Sequence, residues 1–270
     1  MIEVIFLGTH AAIPMKGGSN AAYFIRLGSE NLLIDCGPSI LQQLDAAGIS
    51  PREISHVFFT HRHGDHALGF PMLMLWYYLN PTASIQTPVL IGSGYTLDAL
   101  EQLMLHAYGP DLTEIVSSAP KMALPADAPG LARIHPLIML RTLPMTHSDF
   151  APVLGVRIET RGERLGERVL AFTGDTGPNN NIALLARDAN LLVHEANFCA
   201  TIDPQVADGA FGHSTAQIAG RNALAANAQH LALVHIDAKY EGQEALLLAE
   251  ARAEYPGRVS APQAGIVFQI

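Results

Sequence analysis

An α/β fold is predicted for this chain of 270 residues on three observations. Short apolar runs bounded by polar or glycine punctuation recur along it and read as buried strands. They alternate with longer stretches of helical length. Five of the runs also end in residues that carry chemistry: Val57-Phe58-Phe59 before Thr60-His61, Leu137–Leu140 leading on to His147, Val169–Phe172 before Thr173-Gly174-Asp175, Leu191–Val193 before His194-Glu195, and Leu231–Val234 before His235. Open α/β and sandwich scaffolds build sites in this way, placing reactive side chains where rigid strands give way to loops.

Taken in order, Ile2–Leu7, Ala21–Leu27 and Asn31–Asp35 read as a meander of extended segments, and Ser39–Ala47 as a helix closed by Gly48. His56–Thr60 is the strand that delivers the histidines. Ala67–Leu79 continues as one apolar helix, with Pro71 in the first turn, where a missing N–H is tolerated. Val89–Ile91 follows as a strand, Leu97–His106 as a helix, and Gly109–Gly130 as an irregular Pro-rich stretch suited to a mobile lid or rim. The remainder alternates strand and helix, with helices at Ser214–Asn227 and Gln243–Ala253 and a last strand at Gly265–Ile270. Arg161–Arg168, of mixed charge, reads as a solvated hairpin.

Thr60-His61-Arg62-His63-Gly64-Asp65-His66 packs three imidazoles and a carboxylate into six residues. Neutral nitrogen and anionic oxygen are the ligands that Zn²⁺, Mn²⁺ and Fe²⁺ share. Extended backbone lets His61 and His63 point to one side. Gly64 permits a change of direction before Asp65 and His66, so the two pairs can serve neighbouring ions, and the ends of the other apolar runs supply the missing ligands.

Together with Gly8-Thr9-His10-Ala11-Ala12-Ile13-Pro14, Thr146-His147, Phe172–Thr176, His194-Glu195-Ala196-Asn197-Phe198, Gly212-His213-Ser214-Thr215 and Val234–Tyr240, the histidine motif resembles the metallo-β-lactamase superfamily, and within it the ribonuclease Z-like branch. The resemblance runs in the family's order from near the first residue to near the last. It implies a four-layer αββα sandwich with helices outside two packed sheets and two divalent metal ions at one edge, expected to be Zn²⁺, with Mn²⁺ or Fe²⁺ also compatible. His61, His63 and His147 would hold one ion, Asp65, His66 and His235 the other, and Asp175 would bridge them, with Asp65 counted as catalytic as well as ligating. Glu195 would orient His213, which could protonate a departing alkoxide or hold a phosphate oxygen.

The bulk composition limits the function. Half the residues are apolar, enough for a large core, and ligands drawn from both halves predict a single domain over 1–270. No apolar stretch approaches the roughly 18 residues of a membrane helix, and the start lacks the pattern of a signal peptide, so a cytoplasmic protein with no membrane partner is expected. Cys36 and Cys199 lack the paired spacing of a thiolate site and are read as reduced core residues. A formal net charge of −9 gives no general support for polyanion binding. The branch's transfer RNA-processing members carry a long Gly/Pro-rich arm between the third histidine ligand and the bridging aspartate. Here only Ser148–Gly174 lie between them, so the arm is absent and nucleic acid is an unlikely partner. Expected instead is a metal-activated water attacking a small anionic ester, foremost a small or cyclic phosphodiester. The alternatives, in order, are an arylsulfatase or ester, thioester or lactone hydrolase, a transfer RNA 3′ endonuclease, and a non-catalytic ligand-binding protein. A homodimer is possible, with Met72–Tyr78 as core or dimer face.

Other polar residues carry weaker expectations. His56, His106, His135 and His230 read as packing or surface residues, and His194, pointing away from Glu195 by strand alternation, as structural. His10 stands where the family usually has glycine and is a candidate substrate contact. Ser19-Asn20 could offer donors to an anion.

Overall fold

The computed structural model of the chain describes residues 1–14, 17–81 and 87–270. Its first sheet opens with an antiparallel meander, β1 (Glu3–Gly8), β2 (Ala22–Leu27) and β3 (Glu30–Ile34), and continues in parallel through β4 (His56–Phe58), β5 (Val89–Ser93) and β6 (Lys121–Leu124). The second sheet repeats the plan. β7 (Gly130–His135), β8 (Ile138–Ser148), β9 (Ala151–Thr160) and β10 (Arg168–Phe172) are antiparallel, and β11 (Leu191–Glu195), β12 (His230–Val234) and β13 (Arg258–Ser260) follow in parallel. The last strand, β14 (Val267–Gln269), returns to pair with β1.

Burial explains the sequence pattern. Every residue of β11 and β12 is buried, because parallel strands carry helices on one face and the partner sheet on the other. The sheets pack face to face through one apolar cluster that includes Phe6, Tyr23, Ile25 and Phe58 from the first and Leu154, Phe172, Val193 and Val234 from the second. A second cluster lies between the first sheet and α1 (Ile40–Ala46), α3 (Phe70–Leu79), α4 (Gly94–Tyr108) and α5 (Pro110–Ser117), while α2 (Gly64–Ala67) is a single turn that carries Asp65 and His66 of the histidine motif. A third joins the second sheet to α6 (Asn181–Leu185), α7 (Ala216–Ala225) and α8 (Glu244–Glu254). The layers are therefore helix, sheet, sheet, helix, as the resemblance implies. No described helix is long and apolar enough to cross a membrane.

Two expectations are corrected. Gly109–Gly130 is not an irregular lid: it holds α5 and β6, and α5 packs its buried Val116 into the core beneath the first sheet, away from the metal motif. Proline at the first turn of α5 started a helix where a rim was expected. The helix expected over Ala67–Leu79 is broken, since Gly69 N–H leaves the helical pattern to donate to Cys36 O at 2.9 Å. Within α3, Leu73, Met74 and Tyr77 are buried while Met72 and Tyr78 are exposed.

Close approach fixes one helix pair. Gly220 of α7 lies so near α8 that a Cβ there would sit 2.5 Å from the Ala251 carbonyl oxygen and 3.1 Å from its Cα. In an open helix, Gly→Ala gains about 1 kcal/mol from propensity, but overpacking against backbone costs about 1–3 kcal/mol. Gly220→Ala is therefore expected to destabilise the protein, read as a lower denaturant midpoint with an unchanged slope. A higher midpoint would show that the two helices are not held at this distance.

Candidate metal centre

Strands of both sheets end at one edge, and the chain places its reactive residues just past those ends. Asp35 follows β3, Thr60 to His66 follow β4, His147 ends β8, Asp175 follows β10, Glu195 ends β11 and His235 follows β12. Ligands gather outside strand carboxyl ends in α/β sheets for the same reason of direction. β4 ends at Phe58, two residues short of the strand end expected at Thr60, and His61 and His63 converge from the segment beyond it.

The first group is His61, His63 and His147, whose nearest nitrogens all lie within 4.8 Å of one another. His61 Nε2 is 3.0 Å and His147 Nε2 3.1 Å from His63 Nδ1. The outer nitrogens are occupied: His147 Nδ1 donates to Gly212 O at 2.9 Å, and His61 Nδ1 to Thr60 Oγ1 at 3.0 Å, whose own proton goes to Asp35. Both Nε2 atoms therefore aim lone pairs at the same point. Burial and neighbouring imidazoles keep His61 and His63 below the ordinary histidine range, hence neutral. Three converging nitrogens with at most one proton among them fit a cation, and a tetrahedral ion with nitrogens at about 2.0–2.1 Å would hold its ligands at about this separation.

The second group is Asp65, His66, Asp175 and His235. His66 Nε2 lies 3.2 Å from Asp65 Oδ2 and 3.4 Å from Asp175 Oδ1, and His235 Nε2 lies 3.3 Å from both carboxylates. Asp35 Oδ2 takes the His66 Nδ1 proton at 2.7 Å, leaving Nε2 to face the group. Burial opposes charge on His66, yet Asp175 and Asp35 outweigh it and hold its pKa well above the usual value. Burial likewise raises the Asp65 and Asp175 carboxyls, but the surrounding imidazoles win and keep both well below the usual range. Two buried carboxylates that stay ionised call for positive charge, and a divalent ion provides it.

Beside these groups stands a separate pair. Glu195 is buried and held by three donors: Thr176 N at 2.9 Å and His213 Nδ1 at 2.9 Å on Oε1, and Asn197 N at 3.0 Å on Oε2. Its carboxylate fixes the His213 tautomer and leaves Nε2 free. Burial would depress His213, but Glu195, with Asp175 and Asp65, pushes it up to about 9. The His213 ring stacks 5.3 Å from His235 and lines, with Asn197, His235 and the Ala11-Ala12-Ile13 loop, a cavity of about 130 Å³.

The remaining candidates fall outside the centre. His10 faces a different cavity of about 290 Å³, lined also by Thr9, Ile236 and Glu244, so it is the next residues of its loop that border the metals. The Asn20 side chain has no donor to offer an anion, since Nδ2 donates to Ala11 O at 2.9 Å and Ala12 O at 3.1 Å and thereby shapes that loop. His194 is structural: Nδ1 donates to Glu195 O at 2.6 Å and Nε2 accepts from Asn222. His56 and His230 bond Ser55 and Ser260, and His135 accepts from Leu137 N. Cys36 and Cys199 are buried and free, Cys199 donating to Glu250 at 3.2 Å. The residue that sequence reasoning missed is Asp35. It ends an apolar run, Leu32-Leu33-Ile34, in the manner that marked the other sites, and that signal was available.

Residues behind metal ligands set ligand orientation and basicity, and losing one lowers metal affinity about 10–100-fold. Asn fits the left-handed backbone of Asp35 (φ 62°) but lacks its charge. Asp35→Asn is expected to weaken Zn²⁺ binding by about 10–100-fold in competition with a chromogenic chelator while the protein stays folded. Unchanged affinity would remove Asp35 from the centre.

Comparison with known proteins places this arrangement. A family model described as a beta-lactamase superfamily domain matches residues 30–236. Ribonuclease Z of Bradyrhizobium sp. (strain ORS 278) is 30% identical over 294 aligned residues, covering 95% of this chain and 96% of its own. Ribonuclease Z of Mycobacterium marinum (strain ATCC BAA-535 / M) is 30% identical over 278, covering 96% and 95%. The metallo-beta-lactamase fold protein YhfI of Bacillus subtilis superposes with a TM-score of 0.78 at 22% identity, over 99% of this chain and 98% of that one. With its sandwich, its clustered histidines and aspartates and these relatives, the chain belongs to the metallo-β-lactamase superfamily, in its ribonuclease Z-like part, and so to the metal-dependent hydrolases.

Proposed function

We propose that the centre is dinuclear and that it hydrolyses small phosphodiesters. One observation carries the two-ion reading: Asp175 divides its oxygens between the groups. Its Oδ2 lies 3.8 Å from His61 Nε2 and 3.9 Å from His147 Nε2, and its Oδ1 lies 3.4 Å from His66 Nε2 and 3.3 Å from His235 Nε2. His61, His63 and His147 would hold one ion, Asp65, His66 and His235 the second, and Asp175 both. Zn²⁺ suits this nitrogen-rich set best, and Mn²⁺ or Fe²⁺ accept the same ligands. Such ions supply Lewis acidity toward a phosphoryl oxygen and acidify water near neutral pH.

The chain's own residues do the rest. Asp65 and Asp175 fix the negative charge that retains the cations. Glu195 holds Nδ1 of His213, so its Nε2–H faces the cavity and is placed to protonate a departing oxygen or hold a phosphate oxygen. The Ala11–Ile13 loop, pinned by Asn20, closes one side of that cavity.

Transfer RNA 3′ processing is the second reading, and the relatives support it: the Mycobacterium marinum protein named ribonuclease Z aligns along 95% of its length with a chain of this size. Against it stands the path from His147 to Asp175. β8 turns into β9 through Asp149 and Phe150 alone, β9 reaches β10 through a short turn, and no arm leaves the sheet. Remote binding energy of the kind a large substrate needs has no structure here to receive it.

Two measurements test these assignments. Purified protein is expected to hold about two divalent ions per chain, to turn over bis(p-nitrophenyl) phosphate, and to leave precursor transfer RNA essentially uncut at its 3′ side. Site-specific cleavage of the precursor without diester turnover would exchange the first reading for the second. Separately, His213→Ala and Glu195→Ala should keep their metal while each loses about 10²–10⁴-fold in rate. The double variant should be scarcely slower than either single one, because the two act as a unit. Multiplicative losses would make them independent.

A further inference from the structure

Two hairpin tips beside the centre carry phenylalanines that the fold does not require. Residues 210–213 form a two-residue hairpin, in which His213 N donates to Ala210 O at 2.8 Å and Ala210 N to His213 O at 3.2 Å. Its central residues, Phe211 and Gly212, have φ of 53° and 74°. Positive φ at both central positions selects Asn-Gly, Asp-Gly or Gly-Gly, because left-handed backbone crowds a bulky side chain. Gly212 has its reason: its carbonyl accepts from His147, and a Cβ there would lie 2.2 Å from the His147 carbonyl oxygen. Phe211 has none in the fold, since it is 87% exposed. Backbone strain and exposed apolar surface at one residue, both avoidable with asparagine, point to a role for the ring.

The second tip repeats the exposure without the left-handed backbone. Phe150, between β8 and β9, is 83% exposed, and its carbonyl accepts from Arg62 of the histidine motif. Phe211 and Phe150 are the two most exposed large apolar side chains among the described residues. Phe211 stands two residues before His213 and Phe150 three after His147, so by chain reach their Cα atoms lie within roughly 11 Å of those of His213 and His147. Ile13, 74% exposed, lines the cavity that contains His213 and His235.

We propose that Phe211, together with Phe150 and Ile13, forms an apolar rim that takes the flat aromatic ring of the leaving side of the substrate, making aromatic phosphate esters the preferred class. The leaving side is indicated because Phe211 sits on the hairpin that ends in His213, the residue placed to protonate the departing oxygen. The assignment rests on the phosphodiesterase reading but is separable from it by binding. Stacking on an exposed ring tolerates different aromatic groups, since each has a π-face.

The test compares metal-loaded wild type with Phe211→Asn and Phe150→Ala. Phe211→Asn should raise the thermal midpoint by about 2–4 °C, because the strained position is relieved. In the same variant the calorimetric preference for phenyl phosphate over methyl phosphate should fall at least about fivefold, and KM for bis(p-nitrophenyl) phosphate should rise by more than kcat changes. Phe150→Ala should show the same loss of preference to a smaller degree. An unchanged phenyl-to-methyl preference in both variants overturns the rim, as does dissociation of a dimer on size-exclusion chromatography with selectivity intact, which would assign the rings to a second copy of the chain. Absence of diester turnover in wild type, with the phenyl preference present and lost in Phe211→Asn, would overturn the phosphodiesterase reading and leave the rim standing.

Discussion

One buried carboxylate braces both halves of the centre. Asp35 accepts from His66 Nδ1 at 2.7 Å, from Thr60 N at 2.8 Å and from the Thr60 hydroxyl, which in turn accepts from His61 at 3.0 Å. Through these bonds a single side chain decides which nitrogen of His66, in one group, and of His61, in the other, faces the centre. The same donors satisfy Asp35 itself, which would otherwise be a costly isolated charge in the interior. Orientation of the ligands is thus set by hydrogen bonds already made within the protein, and a cation meets rings that need little rearrangement, displacing a proton from His66.

The sheets deliver these residues with a shared backbone device. Asp35 after β3 and His235 after β12, one from each sheet, both have left-handed φ, 62° and 53°. Asp, Asn and His tolerate that region better than most residues. A strand that ends in it turns sharply aside. Residues in such conformations cluster where function over-determines the backbone, and here the two sheets meet their common edge in the same way.

Much of this was legible in the sequence, for identifiable reasons. The layers were readable because both sheets contain parallel strands buried on two faces, which leave uninterrupted apolar runs such as Leu231–Val234. The seven proposed ligands were readable because each follows such a run or lies in one dense motif. The Glu195–His213 pair was available only by resemblance, since 17 residues separate the two and no local pattern joins them. Asp35 was passed over because a lone aspartate at a strand end also looks like a turn residue, although it ends an apolar run as the other site residues do; its partner, His66, emerges from three-dimensional packing. The Gly109–Gly130 stretch misled because proline and glycine punctuate helices as readily as loops; here they bound α5. The reach of His10 could not be read at all, because whether a loop side chain faces one cavity or its neighbour depends on its close approach to Gly18 and on its pairing with Ile236 just past β12.

The two-residue tip between β8 and β9 has a consequence for how such enzymes diversify. A hairpin tip at the surface is where extra chain is tolerated, because no buried hydrogen bond is broken by lengthening it. The closure entropy grows only slowly, by about 0.6 kcal/mol for each doubling of loop length. Register of the two strands is meanwhile held by the long β8–β9 ladder from Ile138 opposite Thr160 to Ser148 opposite Ala151. A lineage can therefore add or lose a large appendage at this end of the sheet while the spacing of His147 from its neighbours stays put. Chemistry and grip become separately heritable, and the present chain keeps the first with the shortest possible version of the second.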